Sequence, residues 1–362
     1  MEPAGPHDRA RGLLPPAYYD FYAGGAGEER ALTENERAFD RLALLPRVLR
    51  GAATRDTSVA LLGDRLSFPV FVSPTAFHRL AHPEGELATA RAVAAAGTVL
   101  TTGVAATCAV AEVAAAARKT DPGAALWFQL YLQPEHRVTA ELAHRAEHAG
   151  CSALVVTVDS PVFGRHTRDL RNGFTDLPPG YAAQNMRGLP GGPPDEPRPI
   201  AMSPAQSWDD VRRLRDSSGL PLVLKGILHP EDARTAVAEG ADAILVSNHG
   251  GRQLDAAPAA LDALPAVAAA VAGRVPVLLD GGVRRGSDVA VALALGATAV
   301  GVGRPVLWGL AADGEDGVRD VLARLRDDFD HTLALCGGAS PGDLTRDQVV
   351  PRRAPLTGAA PW

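Results

Sequence analysis

Residues 276–305 read PVLLDGGVRRGSDVAVALALGATAVGVGRP. An apolar run ends in an aspartate and two glycines. An Ala- and Val-rich amphipathic stretch follows and closes on Gly296. A second apolar run then ends in a glycine and an arginine. The apolar runs are too short for helices and carry no polar face, the mark of a strand buried on both sides. The glycine after the middle stretch is a helix C-cap signal. The stretch is one strand–helix–strand unit, and two parallel strands need such a crossover.

The same unit recurs along the chain. Apolar runs stand at FPVFVSP (68–74), TVLTTG (98–103), LWFQLYL (126–132), ALVVTVDS (153–160), PLVLKG (221–226) and AILVSN (243–248), besides the two quoted. Helical stretches separate them at 85–97, 108–119, 136–150, 207–218, 229–240 and 261–273, and a last one follows at 314–337. Strand and helix alternating eight times predict an α/β fold, the (β/α)8 TIM barrel. A helical extension of residues 1–65 is expected to pack on a barrel of 66–345, with an amphipathic helix near 28–42 and a tail of 346–362. Residues 173–207 are rich in Pro and Gly and lack periodicity. They follow the fourth strand and are expected to hang over the C-terminal mouth as a long lid loop.

The bulk numbers narrow the function. Of 362 residues 46% are hydrophobic and 22% charged, and the net charge is −6. Lys and Arg form no block, which argues against nucleic acid or an anionic membrane as partner. Cys108, Cys151 and Cys336 are far apart and lack CxxC spacing, so a reducing, cytoplasmic setting and no metal site are expected. The start of the chain has no apolar signal region, and no uncharged apolar run reaches membrane-helix length.

Barrel active sites are built where strands end. Here those ends carry Gln129 and Tyr131, Thr157 and Asp159, Lys225, Ser247, His249 and Arg252, Asp280 with Arg284, and Gly303 with Arg304. The loops after strands seven and eight, DGGVRRG and GVGRP, pair glycines with arginines at the usual barrel phosphate position. Tight turns alone would explain either loop, but not both together at those strands. Barrels such as inosine monophosphate dehydrogenases carry similar loops, so they point to a phosphate rather than an activity. SNHGGRQLD (247–255) is more specific. Its glycines allow a sharp turn, its arginine offers a fork to a carboxylate, and Asp159 could hold one tautomer of His249 for general base work.

SNHGGRQLD, taken with LVLKG, FQLY, TVDSP, DGGVRRG, GRP, AHPEGELATARA (81–92) and NGF (172–174), closely resembles the FMN-dependent α-hydroxy acid oxidases and dehydrogenases. That family includes glycolate and lactate oxidases, mandelate dehydrogenase and hydroxymandelate oxidase. The resemblance runs from about Tyr18 to Leu344. It implies FMN as cofactor, with the backbone of Pro74, Thr75 and Ala76 against the flavin ring and Gln129 and Thr157 on its heteroatoms. Lys225 would lie beside N1 and stabilise the reduced ring. Ser247 would make a further flavin contact. Asp280 would hold the ribityl chain, and Gly282, Arg284, Gly303 and Arg304 the phosphate. His249 would be the base and Asp159 its partner. Arg252 would clamp the substrate carboxylate, with Tyr131 beside it. A homo-oligomer, tetramer or octamer, is implied too.

Four positions depart from the family pattern. GRHTRD (164–169) places His166 where a second carboxylate-binding arginine is expected. YDFYAGGAG (19–27) places Phe21 where a substrate-contacting tyrosine stands. Gly103 and Ala105 replace a serine and a tryptophan of glycolate oxidases. The expected activity is oxidation of a 2-hydroxy acid, bulky or aryl, to the 2-oxo acid, with dioxygen or another electron acceptor. Oxidation of a C–N bond, or of a substrate with a masked carboxylate, stands as an alternative. So does a non-catalytic FMN-binding barrel. Arg165 or Arg168 could also restore the missing clamp.

Overall fold

In the computed structural model, which describes residues 5–193 and 196–352, eight parallel strands close into a barrel. They are β1 (Val70–Val72), β2 (Leu100–Gly103), β3 (Leu126–Tyr131), β4 (Ala153–Thr157), β5 (Leu222–Ile227), β6 (Ala243–Val246), β7 (Val277–Asp280) and β8 (Ala299–Val302). Each pairs with its sequence neighbours, and β8 pairs with β1, Gly301 opposite Phe71. All eight expected strands form. The crossover helices are α1 (Glu86–Ala95), α2 (Val110–Thr120), α3 (His136–His148), α4 (Trp208–Ser217), α5 (Pro230–Ala238), α6 (Ala260–Val271), α7 (Gly286–Ala294) and α8 (Arg304–Leu335).

Helix α8 departs from the sequence reading. It begins directly after GVG at Arg304, with Pro305 in its first turn, and kinks at Asp313 and Gly314, where the backbone leaves helical geometry. The sequence expectation began only at 314, because Pro305 and Gly314 both read as breaks. A proline in the first turn costs no hydrogen bond, so it starts a helix rather than ending one.

The period of two along each strand sorts the side chains. Phe71, Val99, Trp127, Val155, Val223, Leu245, Leu278 and Ala299 point inward and form the barrel's own core. A hairpin of Val59–Leu61 and Asp64–Leu66 inserts Leu61 and Leu66 into that cluster and plugs the N-terminal end. Asp64 accepts from the Trp127 indole at 3.0 Å and the Ser152 hydroxyl at 2.7 Å, so the plug is pinned by hydrogen bonds. The outward residues pack against the helices in a larger second layer.

Outside the barrel, helices Pro6–Leu13, Pro16–Ala23 and Arg30–Asp40 lie at the mouth side, and strand Leu42–Leu44 pairs antiparallel with Val349–Pro351. Of the expected tail, residues 353–362 lie outside the described residues. The long connection after β4 contains helix Thr167–Asn172, a single turn at Gln184–Met186 and a bridge between Arg187 and Pro197.

Candidate active site

Two residues beyond six of these inward core residues the chain turns polar. Phe71 is followed by Ser73, Trp127 by Gln129, Val155 by Thr157, Val223 by Lys225, Leu245 by Ser247 and Leu278 by Asp280. Strand periodicity sends all six to the same end of the barrel interior, where each is buried. They form a connected layer. Gln129 Nε2 donates to Thr157 Oγ1 at 3.0 Å, Lys225 Nζ donates to Ser247 Oγ at 3.0 Å, and Ser73 Oγ donates to Asp280 Oδ2 at 3.1 Å. Lys225 Nζ stands 3.7 Å from the same Asp280 oxygen. Two glycines finish the layer. A Cβ on Gly301 would overlap the Ser73 hydroxyl, and one on Gly103 would press on the Gln129 carboxamide.

Above this layer lies a cavity of about 970 Å³, at the upper end of small-molecule sites. Among the expected site residues Pro74, Thr75, Ala76, Gln129, Tyr131, Thr157, His166, Phe21, Lys225, His249, Arg252, Asp280, Gly282, Arg284, Gly303 and Arg304 all line it. Asp159 and Ser247 do not; they stand behind the wall. Ser247 is fully buried, and its hydroxyl also accepts from the His249 backbone N–H at 3.0 Å. Its place is between the lysine and the histidine rather than on the cavity surface.

His249 sits in a left-handed turn, φ 61°, followed by Gly250 and Gly251 at 63° and 75°. A side chain other than glycine costs about 1–2 kcal/mol in that region. The turn is forced from outside, since a Cβ on Gly251 would run into the Leu32 backbone of the N-terminal helix Arg30–Asp40. His249 Nδ1 is 2.8 Å from Asp159 Oδ1, which also accepts from Ser160 Oγ at 2.8 Å. Room for Asp159 comes from a bulge in β5 at Gly226, where any side chain would strike the carboxylate. Burial pushes the Asp159 carboxyl up, but His249, its hydrogen bond and Lys225 outweigh burial and bring it down to about 2. A carboxylate so held accepts from Nδ1–H and leaves the Nε2 lone pair for a proton.

Arg252 is partly buried. Its Nη1 donates to the carbonyls of Phe21 and Gly24, both at 2.8 Å, and its guanidinium lies 5.2 Å from the Phe21 ring centre. Nη2 stands 3.5 Å from His166 Nδ1, at the edge of hydrogen-bond reach, so Nε and Nη2 remain as the fork for a planar anion. Phe21 packs on Phe77 and Phe174, at 5.9 and 5.3 Å between ring centres, so the replaced tyrosine has become part of an aromatic wall. Tyr131 is partly buried beside Asp159; loss of solvent first, and that charge second, push its phenol well up and keep it neutral. His166 lines the cavity, with Nδ1 3.2 Å from Asp169 and Nε2 3.0 Å from the Arg252 carbonyl. Neither neighbouring arginine restores a clamp. Arg168 is bound by Glu29 and Asp20, and Arg165 is exposed and outside the cavity lining.

A further cationic cluster adjoins Arg252, sharing the Gly24 carbonyl with it. Arg304 donates to the carbonyls of Tyr22, Gly24 and Gly250 at 2.8–3.0 Å. Burial, with Arg252 and Arg284 near it, pulls its guanidinium down to about 9. Arg284 holds Glu36 at 2.6 Å. An anion placed among these groups relieves both the burial cost and the mutual repulsion. Gly303 caps the N-terminus of α8, the positive end of that helix dipole. Asp280 Oδ1 is buried with no partner among the described residues, a free acceptor for a hydroxyl donor. A cation–amide end, an orphaned acceptor midway and a Gln–Thr–Lys layer beneath a broad apolar space fit phosphate, ribityl chain and flavin ring in that order. Ser73, Asp169 and the Asn35–Asn248 pair, bonded side chain to side chain at 2.8 and 2.9 Å behind the His249 turn, were not singled out from the sequence. Ser73 was legible as the inward residue after Phe71.

A model of the FMN-dependent dehydrogenase family matches residues 10–351. Glycolate oxidase 3 of Arabidopsis thaliana is 46% identical over 348 residues, 94% of this chain and 93% of that protein. A peroxisomal (S)-2-hydroxyacid oxidase of the same plant is 44% identical over 344 residues, covering 94% of this chain and 93% of its own. A crystal structure of mandelate oxidase with benzoyl-formic acid superposes with a TM-score of 0.86 at 42% identity, covering 96% of this chain and 97% of that one. Matched by the family model and by such relatives over nearly its whole length, this chain belongs to the FMN-dependent dehydrogenase family, and FMN is its cofactor.

Proposed function

We propose that the protein oxidises a bulky 2-hydroxy acid, or a close derivative, to the 2-oxo product, with dioxygen as the final electron acceptor. The observation that carries the reading is His249, held by Asp159 at 2.8 Å, in one cavity with the Arg252 fork and Lys225. Bound FMN supplies the two-electron acceptor. Arg252 and Tyr131 orient the substrate's carboxyl end. His249 takes its proton on Nε2, and the charge formed is balanced by Asp159 through Nδ1. Lys225, fixed by Ser247, offers a buried cation to the negative charge that reduction adds to the ring. The family's glycolate and mandelate oxidases are relatives whose names describe this kind of chemistry.

Bulk is supported by the aromatic wall of Phe21, Phe77 and Phe174 and by the small Gly103 and Ala105, all on the cavity. Among the described residues no helix is long and apolar enough to cross a membrane. A homo-oligomer in the cytoplasm completes the proposal, although one relative is named peroxisomal; sizing and cell fractionation test both points. The activity is tested by anaerobic bleaching of the flavin absorbance with aliphatic, aryl and amino-acid substrates. Aryl 2-hydroxy acids are expected to reduce it fastest, and efficient turnover of glycolate would overturn the bulky assignment. His249→Asn is expected to slow that reduction by about 10²–10⁴-fold while FMN stays bound.

A further inference from the structure

The recognition end of the cavity holds a carboxylate that nothing balances in the usual way. Asp169 lies on helix Thr167–Asn172, and its side chain is 13% exposed. Its Oδ2 faces His166 Nδ1 at 3.2 Å. Its Oδ1 is buried and has no hydrogen-bond partner among the described residues. The carboxylate is close enough to Arg252 to act on its charge. An arginine at position 166 would fill both oxygens with its own fork and leave Arg252 free for an anion. A histidine has no fork. One ring nitrogen reaches one oxygen, and the other is turned to the Arg252 carbonyl at 3.0 Å. Arg168, on the same helix, is spent on Glu29 and Asp20.

The charge count follows. An arginine at 166 would set a fixed cation directly against Asp169. With His166 the fixed cations at this end are Arg252, already opposed by Asp169, and Arg304, which donates to the same Gly24 carbonyl. A second carboxylate brought in beside Asp169 meets repulsion in a space that screens it poorly. A neutral carbonyl meets none, and it still accepts from the Arg252 Nε and Nη2 donors.

We infer that Asp169, unmasked by His166, is a specificity-determining residue that turns the site toward 2-hydroxy compounds whose carboxyl group is neutral, as an amide or ester. This rests on the proposed 2-hydroxy oxidation and deepens it. The reaction keeps its balance: the carbinol C–H and O–H bonds are lost and a C=O bond forms; one hydrogen leaves as a proton to His249, and the other leaves with the electron pair, a hydride equivalent taken up by FMN. The C(=O)–X bond is untouched.

The test uses the FMN-loaded enzyme with mandelate and mandelamide, which differ only at the carboxyl group. It reads the rate of anaerobic flavin bleaching, and the dissociation constants of the 2-oxo products from the shift they cause in flavin absorbance. The wild type is expected to favour the amide by kcat/KM. Asp169→Asn is expected to lower KM for mandelate about fivefold or more and leave KM for mandelamide within about twofold. Should that variant disturb its helix, His166→Arg keeps the carboxylate and is expected to shift selectivity toward the acid in the same sense. Strong wild-type preference for the acid, or equal effects of both variants on acid and amide, would overturn the inference while leaving 2-hydroxy oxidation standing. Failure of both compounds, and of every other 2-hydroxy substrate, to bleach the flavin would overturn the proposed function itself.

Discussion

Asp159 shows how one side chain ties chemistry to stability. Its carboxyl lies at about 2 in the folded protein because the charges of His249 and Lys225 overcome its burial, against about 3.9 in an unfolded chain. A depressed carboxylate stabilises the fold above the unfolded value, and that contribution fades as pH falls through the folded one. The stability advantage of the wild type over Asp159→Asn is therefore expected to be full at neutral pH and to shrink from about pH 4 down to about pH 2. Urea unfolding at a series of pH values checks this; a constant gap would refute it. His249 and Asp159 were legible because the glycines of SNHGGRQLD and the strand-end position of TVDS mark them. Asp169 was not. Its significance lies in an oxygen left without a partner, and only coordinates show where partners are missing.

The elements explain which positions tolerate change. Gly282 was expected at the phosphate, and it lines that cavity, but its backbone, at φ 87°, also touches the helix Arg30–Asp40. A Cβ there would overlap the Asn35 carbonyl. Gly282→Ala is expected to cost about 2–4 kcal/mol through strain and displacement of that helix. It should also weaken FMN binding, because the same helix presses on Gly251 beneath His249. Thermal unfolding and FMN titration read the two effects together. The eight barrel strands were legible because burial on both faces writes them as apolar runs. The pairs of three-residue strands, Val59–Leu61 with Asp64–Leu66 and Leu42–Leu44 with Val349–Pro351, were not. Segments that short have no period to read, and pairing partners 300 residues apart leave no local mark.

Across the whole molecule, the N-terminal extension is closed on the barrel from both ends of the chain. Leu42–Leu44 is paired by Val349–Pro351, and Leu45 donates its N–H to the buried Gln348 at 2.7 Å. Deleting residues from 348 onward is expected to lower Tm by about 3 °C or more and to loosen FMN, although none of the described residues among them lines the cavity. Calorimetry with and without FMN measures both. The division of labour along the chain has its own outcome. The groups that move protons and settle charge stand on the ends of β3 to β7, while much of the outer wall comes from the connection between β4 and α4, including His166, Asp169, Phe174 and Tyr181. That connection is one continuous stretch, joined to the barrel at two points. Selectivity can therefore be inherited in part as a cassette: residues 161–207 exchanged with a relative's would carry across the share of its preference that His166, Asp169 and Phe174 set, and leave the reaction where it was.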